Sequence, residues 1–109
     1  MAKVYGFVPG YDYLVSRAVQ KNLVPTQPTD EEEEVDAIQA ALYDIIDEAE
    51  LGRVVELILV RIGIMPMFAI VLATKRNKLW VTKDDIARLK KIIGTGQNPA
   101  WYWQYNNKY

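Results

Sequence analysis

The sequence predicts a single α+β domain, with a mostly antiparallel sheet that carries helices on one face. Three observations support this prediction. Apolar residues repeat at helical spacing in two segments before residue 50, β-branched residues are concentrated between residues 53 and 82, and a third helical repeat follows. Strands grouped together after helices favour this fold class. The predicted order is β-α-α-β-β-β-α, with a globular domain at residues 1–94 and an aromatic C-terminal arm at residues 95–109.

The first half of the chain alternates one strand with two helices. Residues 3–8 read as a short strand that Pro9 and Gly10 end, and residues 11–19 carry a helical apolar stripe. Two prolines in residues 23–29 favour an extended linker. The next helix begins at Thr29 or Asp30, because either side chain can accept a hydrogen bond from the first helical turn, and the following glutamates suit the helix dipole.

The second half is richer in strands. Residues 53–62 fit both a helical stripe and a buried strand, and their β-branched content favours the strand. Glu56 and Arg61 interrupt this run, a pattern more typical of solvent-facing positions than of a buried ion pair. Two further strands, separated by a turn at residues 76–77, precede a last helix that Thr82 caps and Gly94 ends.

The composition excludes most catalytic chemistry. There is no histidine and no cysteine, so Ser–His and Cys–His pairs, disulfides, thiolate metal sites and imidazole metal sites are impossible. The sequence therefore predicts a non-enzymatic protein without a cofactor or a metal. Residues 54–73 are apolar but interrupted by Glu56, Arg61 and Pro66, which argues against a membrane span. Without a recognisable secretory signal, we expect a cytoplasmic protein.

Charge is distributed unevenly along the chain. Residues 1–56 carry a net charge of −8 and residues 57–109 a net charge of +7, which indicates interaction surfaces. The acidic face is predicted to comprise Asp44, Asp47, Glu48 and Glu50. The basic face is predicted to comprise Lys75, Arg76, Lys78, Lys83, Lys90 and Lys91.

The C-terminal arm concentrates aromatic side chains in the last nine residues. Its candidate binding residues are Trp101, Tyr102, Trp103, Tyr105 and Tyr109. Tryptophan and tyrosine are enriched at binding hot spots, so the arm is predicted to dock either on its own core or on another chain.

Two functions remain open. The first is a protein-interaction module, either a subunit of a homo-oligomer or larger assembly, or a small adaptor that uses its charged faces and aromatic arm. The alternative is a protein that binds single-stranded nucleic acid, with cations of the basic hairpin contacting phosphates and aromatic rings of the C-terminal arm stacking on bases.

Overall fold

The structure is a computed structural model that describes residues 3–74, 81–94 and 96–105. Its elements are β1 (Lys3–Phe7), α1 (Tyr11–Gln20), α2 (Glu31–Glu48), β2 (Glu56–Ile62), β3 (Met65–Thr74), α3 (Lys83–Ile93) and β4 (Ala100–Gln104). The predicted α+β class, with an antiparallel sheet, is confirmed. The predicted turn at residues 76–77 and residues 78–80 of the strand predicted after it lie outside the described residues. The fourth described strand is formed by the aromatic arm.

The strand predicted at residues 53–62 is present and begins at Glu56, after a turn at residues 52–54. β2 pairs with β3 over its whole length, from Glu56 opposite Val71 to Ile62 opposite Met65. Glu56 and Arg61 both lie exposed on β2, which agrees with the solvent-facing interpretation of these two residues. The β-branched side chains of this segment favour a strand over a helix because they pack well on a pleated surface.

The sheet closes on itself in the order β1-β3-β2-β4, because β4 pairs with both β2 and β1. Alternate side chains therefore point into or away from the closed sheet. The interior cluster contains Val4, Val8, Val60, Ala69 and Val71, with Tyr102 packed against it. On the outer side of β1 and β3, Phe7, Ile70 and Leu72 pack against buried residues of all three helices, which include Leu14, Ile38, Leu42, Ile45 and Leu89.

Two of the helix starts follow the predicted chemistry. Asp30 caps α2 by accepting a hydrogen bond from the backbone N–H of Glu33 at 2.8 Å. Thr82 and Asp85 form a reciprocal capping box at the start of α3, and Gly94 ends that helix in a left-handed conformation. These local hydrogen bonds satisfy backbone groups that lack a partner inside the helix.

An ion-pair network joins α1 to α2. Asp44 Oδ2 lies 2.9 Å from Arg17 Nη2 and 2.6 Å from Lys21 Nζ, and Glu48 lies 3.6 Å from both cations. Arg17 also donates to the hydroxyl of Tyr13, which in turn donates to the carbonyl of Ile92 on α3. Burial raises the pKa of Asp44, but hydrogen bonds and charges from Lys21 and Arg17 outweigh it and hold that pKa below the usual 3.8.

β1 and β3 approach unusually closely at Gly6. The pairing register shifts between Tyr5 and Gly6, and a Cβ atom added to Gly6 would lie 2.0 Å from the backbone oxygen of Ile70. Because the obstacle is backbone in a paired strand, no side-chain rotation can relieve it. Only glycine fits this position.

We expect Gly6→Ala to lower the free energy of unfolding by about 1–3 kcal/mol, as overpacking typically does. Urea denaturation monitored by circular dichroism measures the change. The matched control is Gly52→Ala, where an added Cβ meets its nearest atom at an ordinary 3.7 Å and the backbone φ is not positive. The control is expected to change stability by less than about 0.5 kcal/mol. Equal losses for both variants would contradict the close approach.

We expect the α1–α2 network to make stability depend on pH through Asp44. Its folded pKa is depressed, so its contribution is complete above the unfolded pKa of about 3.9 and is lost as pH falls through the lower folded pKa. Asp44→Asn should cost about 1 kcal/mol at neutral pH, and the gap from wild type should narrow below about pH 4. Asp47→Asn, at an exposed position of α2, is the control. A constant gap at every pH would rule out the ion-pair contribution.

Candidate functional site

The aromatic arm docks on its own chain through its backbone but keeps its two indoles outside. β4 pairs with β1, so Tyr102 lies opposite Val4 and packs against the interior cluster. Trp101 and Trp103, on either side of Tyr102, face outward and remain 48% and 42% exposed. Tyr105 is half-buried and donates its backbone N–H to the carbonyl of Leu59 at 2.9 Å. Tyr109 lies outside the described residues.

Each indole has a neighbour on the same outer face. The rings of Tyr5 and Trp101 lie 5.3 Å apart between centroids, tilted by 47°. Lys3 places Nζ 4.7 Å from the ring centroid of Trp103, within the range of a cation–π contact. Arg61 of β2 lies directly opposite Trp103 in the strand register. These contacts orient the indoles on the sheet and leave their remaining surface open to solvent.

The hairpin between β2 and β3 ends in an apolar tip, named here the hairpin tip and formed by residues 62–65. Ile62 pairs with Met65, so the turn contains only Gly63 and Ile64. Gly63 has φ of +64°, the conformation that a two-residue turn with glycine first requires. Ile64 is 93% exposed and Met65 is 57% exposed. Turn residues are ordinarily polar, so this turn is unusual in composition.

Six of the nine large exposed hydrophobic residues in the described part of the chain lie on the hairpin tip, on β2 and on β4. We call these six the apolar surface: Leu59, Ile62, Ile64, Met65, Trp101 and Trp103. Within residues 57–74 the sole charged residue is Arg61, and residues 96–105 carry no charge. Aromatic residues, methionine and arginine are enriched at protein interfaces, whereas lysine and acidic residues are depleted. The apolar surface has this composition.

The predicted acidic face is divided between two roles. Asp44 and Glu48 pair with Arg17 and Lys21 inside the chain. Asp47 and Glu50 are exposed. Arg17 and Lys21 belong to the acidic half of the sequence, and the remaining ion pair, Arg88 with Asp85, lies within the basic half. Among residues 3–74, 81–94 and 96–105, therefore, no ion pair joins the two halves.

The predicted basic face is only partly described. Lys75, Arg76 and Lys78 lie outside the described residues. Lys83 is exposed at the start of α3, Lys91 is exposed in its last turn, and Lys90 donates to the side chain of Asn98 at 2.7 Å. The cations that the structure places beside the indoles are instead Lys3 and Arg61, which the sequence analysis did not assign to a binding face.

A groove of about 440 Å³ lies between α1, the linker and the start of α2. Val15, Val19 and Pro28 supply its apolar part, and the carboxylates of Asp12 and Glu34 lie at its border. We call it the α1 groove. The first residue of the chain that lines it is Asp12, which follows Tyr11 in the sequence. The Tyr11 hydroxyl donates to the backbone oxygen of Pro66, next to the hairpin tip, at 3.0 Å. Burial raises the pKa of Tyr11, and the negative charge of Glu34 adds to the rise.

The hairpin tip and the α1 groove were not predicted from the sequence. One local signal was present for the tip, since Gly63 and Ile64 separate two β-rich runs and a glycine-first pair is typical of a tight hairpin. No comparable signal existed for the groove. It depends on the path of the linker between α1 and α2, which residue spacing does not determine.

The described residues include no group of three or more acidic side chains placed to hold a metal ion. Among α1, α2 and α3, no helix has both the length and the apolar content that crossing a membrane requires.

Comparison of the chain with protein-family models, with curated proteins and with solved structures finds no match.

Proposed function

We propose that this chain is a non-enzymatic protein-interaction module that associates with further copies of itself through the apolar surface. The observation that carries the proposal is the position of Trp101 and Trp103. Both indoles are about half exposed although their strand is paired and Tyr102 already anchors it inside. Large exposed apolar patches are uncommon on monomeric proteins and mark interaction sites, and the proposal takes the two indoles to belong to one. A cytoplasmic location belongs to the same proposal.

The composition of the surface favours a protein partner over nucleic acid. Leu59, Ile62, Ile64 and Met65 offer aliphatic contacts, which suit the core of a protein interface and contribute nothing to phosphate recognition. A strand-binding groove needs several cations to neutralise phosphates. Within the described residues of the apolar surface and its immediate neighbours, only Lys3 and Arg61 are positively charged.

Single-stranded nucleic acid is the second candidate, and one specific observation favours it. Lys3 and Arg61 flank Trp103, so cations and an exposed aromatic ring share one face of the sheet. The same geometry also weakens this candidate. The ammonium group of Lys3 lies over the Trp103 ring and competes with a nucleobase for that face.

We expect wild-type protein to show reversible self-association by sedimentation velocity over a series of concentrations. Trp101→Gln combined with Trp103→Gln should raise the dissociation constant at least about tenfold, because tryptophans at interface centres are common hot spots. Tyr43→Gln is the matched control, since Tyr43 is an aromatic residue on α2 that is 58% exposed outside the apolar surface. Circular dichroism checks that all variants remain folded.

A wild-type monomer at the highest attainable concentration would contradict self-association. A double tryptophan variant that associates as strongly as wild type would show that another surface is responsible. Fluorescence anisotropy with a labelled oligothymidylate at low salt tests the second candidate. Binding that weakens linearly in a log–log plot against salt would favour nucleic acid.

A further inference from the structure

We infer that the hairpin tip of one copy inserts into the α1 groove of a second copy, and that the second copy returns the same contact. This inference rests on the proposed function and specifies its partner and geometry. The hairpin tip is convex and apolar, with Ile64 and Met65 as its most exposed side chains. A convex tip needs a concave receptor rather than a flat one, because close packing requires atoms on every side.

The α1 groove has a mixed lining, in which Val15, Val19 and Pro28 are apolar and the other residues are polar: Asp12, Ser16, Gln20, Gln27 and Glu34. Its volume of about 440 Å³ is roughly three times that of a cavity of about 150 Å³, which accommodates benzene. In the proposed contact, Ile64 and Met65 enter the groove together. Val15, Val19 and Pro28 provide apolar contacts for them, and methionine adapts to irregular spaces because its side chain is unbranched and flexible.

The hairpin tip and the α1 groove carry opposite charges. Arg61 lies at the base of the hairpin tip, and Asp12 and Glu34 border the α1 groove. All three residues are exposed, and none forms a salt bridge within the part of the chain that the structure describes. Docking of the tip brings one guanidinium toward two carboxylates. Charge complementarity of this kind fixes the register of a contact and speeds association.

The tip and the groove are neighbours on one chain, which favours a closed pair over a filament. The hydroxyl of Tyr11, the residue next to the groove, donates to the carbonyl of Pro66, the residue next to the tip. A two-fold axis passing between adjacent complementary patches lets each copy give its tip and receive the other's. Arg61, which supplies the charge at the tip, lies opposite Trp103 in the strand register, so the contact adjoins that indole.

A charge-swap experiment tests this arrangement. Arg61→Glu in one protein, and Asp12→Lys with Glu34→Lys in another, should each weaken self-association at least about tenfold, because like charges then face each other. An equimolar mixture should recover a two-chain species, since each tip then meets a groove of opposite charge. Native mass spectrometry identifies that species by the different masses of the two chains.

The control variants reverse exposed charges elsewhere. Arg53→Glu lies in the turn before β2, and Asp47→Lys lies near the opposite end of α2 from Glu34. Neither control variant should weaken self-association, and mixing the two should not strengthen it.

Three results would overturn the inference. The first is a wild type that self-associates, a double tryptophan variant that self-associates more weakly, and a charge-swap mixture that shows no recovery. In that case the tip-and-groove contact is wrong while the proposed function stands. Growth beyond two chains would exclude the reciprocal arrangement. A strictly monomeric wild type would remove both this inference and the proposed function.

Discussion

The pairing of the C-terminal strand with the N-terminal strand is the constraint on which the rest of the structure depends. β1 lies between β3 and β4, and β4 also reaches β2, so the sheet closes. Backbone hydrogen bonds and the buried side of Tyr102 hold β4 in place. Alternation along the strand then sends Trp101 and Trp103 to the outside. The indoles stay outside because Tyr102 alone attaches the arm to the interior cluster.

Charge serves two distinct purposes in this molecule. The carboxylates of Asp44 and Glu48 meet cations of α1 and hold two helices together. Arg61, Asp12 and Glu34 are left exposed at the hairpin tip and the α1 groove. The uneven charge of the sequence is consequently not cancelled by ion pairs between its two halves within the described residues. In the proposed pair, exposed charges of the two halves meet between copies.

Features of the fold that depend on neighbouring residues were predictable from the sequence. Features that depend on contacts between residues far apart in the sequence were not. Caps at Asp30 and Thr82 and the strand at residues 56–62 follow from residue type and spacing over a few positions. Arg17 and Asp44, by contrast, are 27 residues apart. The outward direction of the indoles depends on the register between the two ends of the chain. Sequence spacing identified the aromatic arm as important but left open which of its rings would be buried.

The accessibility of the two indoles at different protein concentrations is the most direct test of the account. In a Trp80→Phe background, tryptophan emission comes from Trp101 and Trp103 alone, because the sequence has three tryptophans. We predict strong acrylamide quenching in dilute solution, and weaker quenching with a blue-shifted emission as concentration rises and copies cover each other. Indoles shielded even at the lowest concentration would mean that they lie inside their own chain. Indoles equally quenched at every concentration would mean that no second copy covers them.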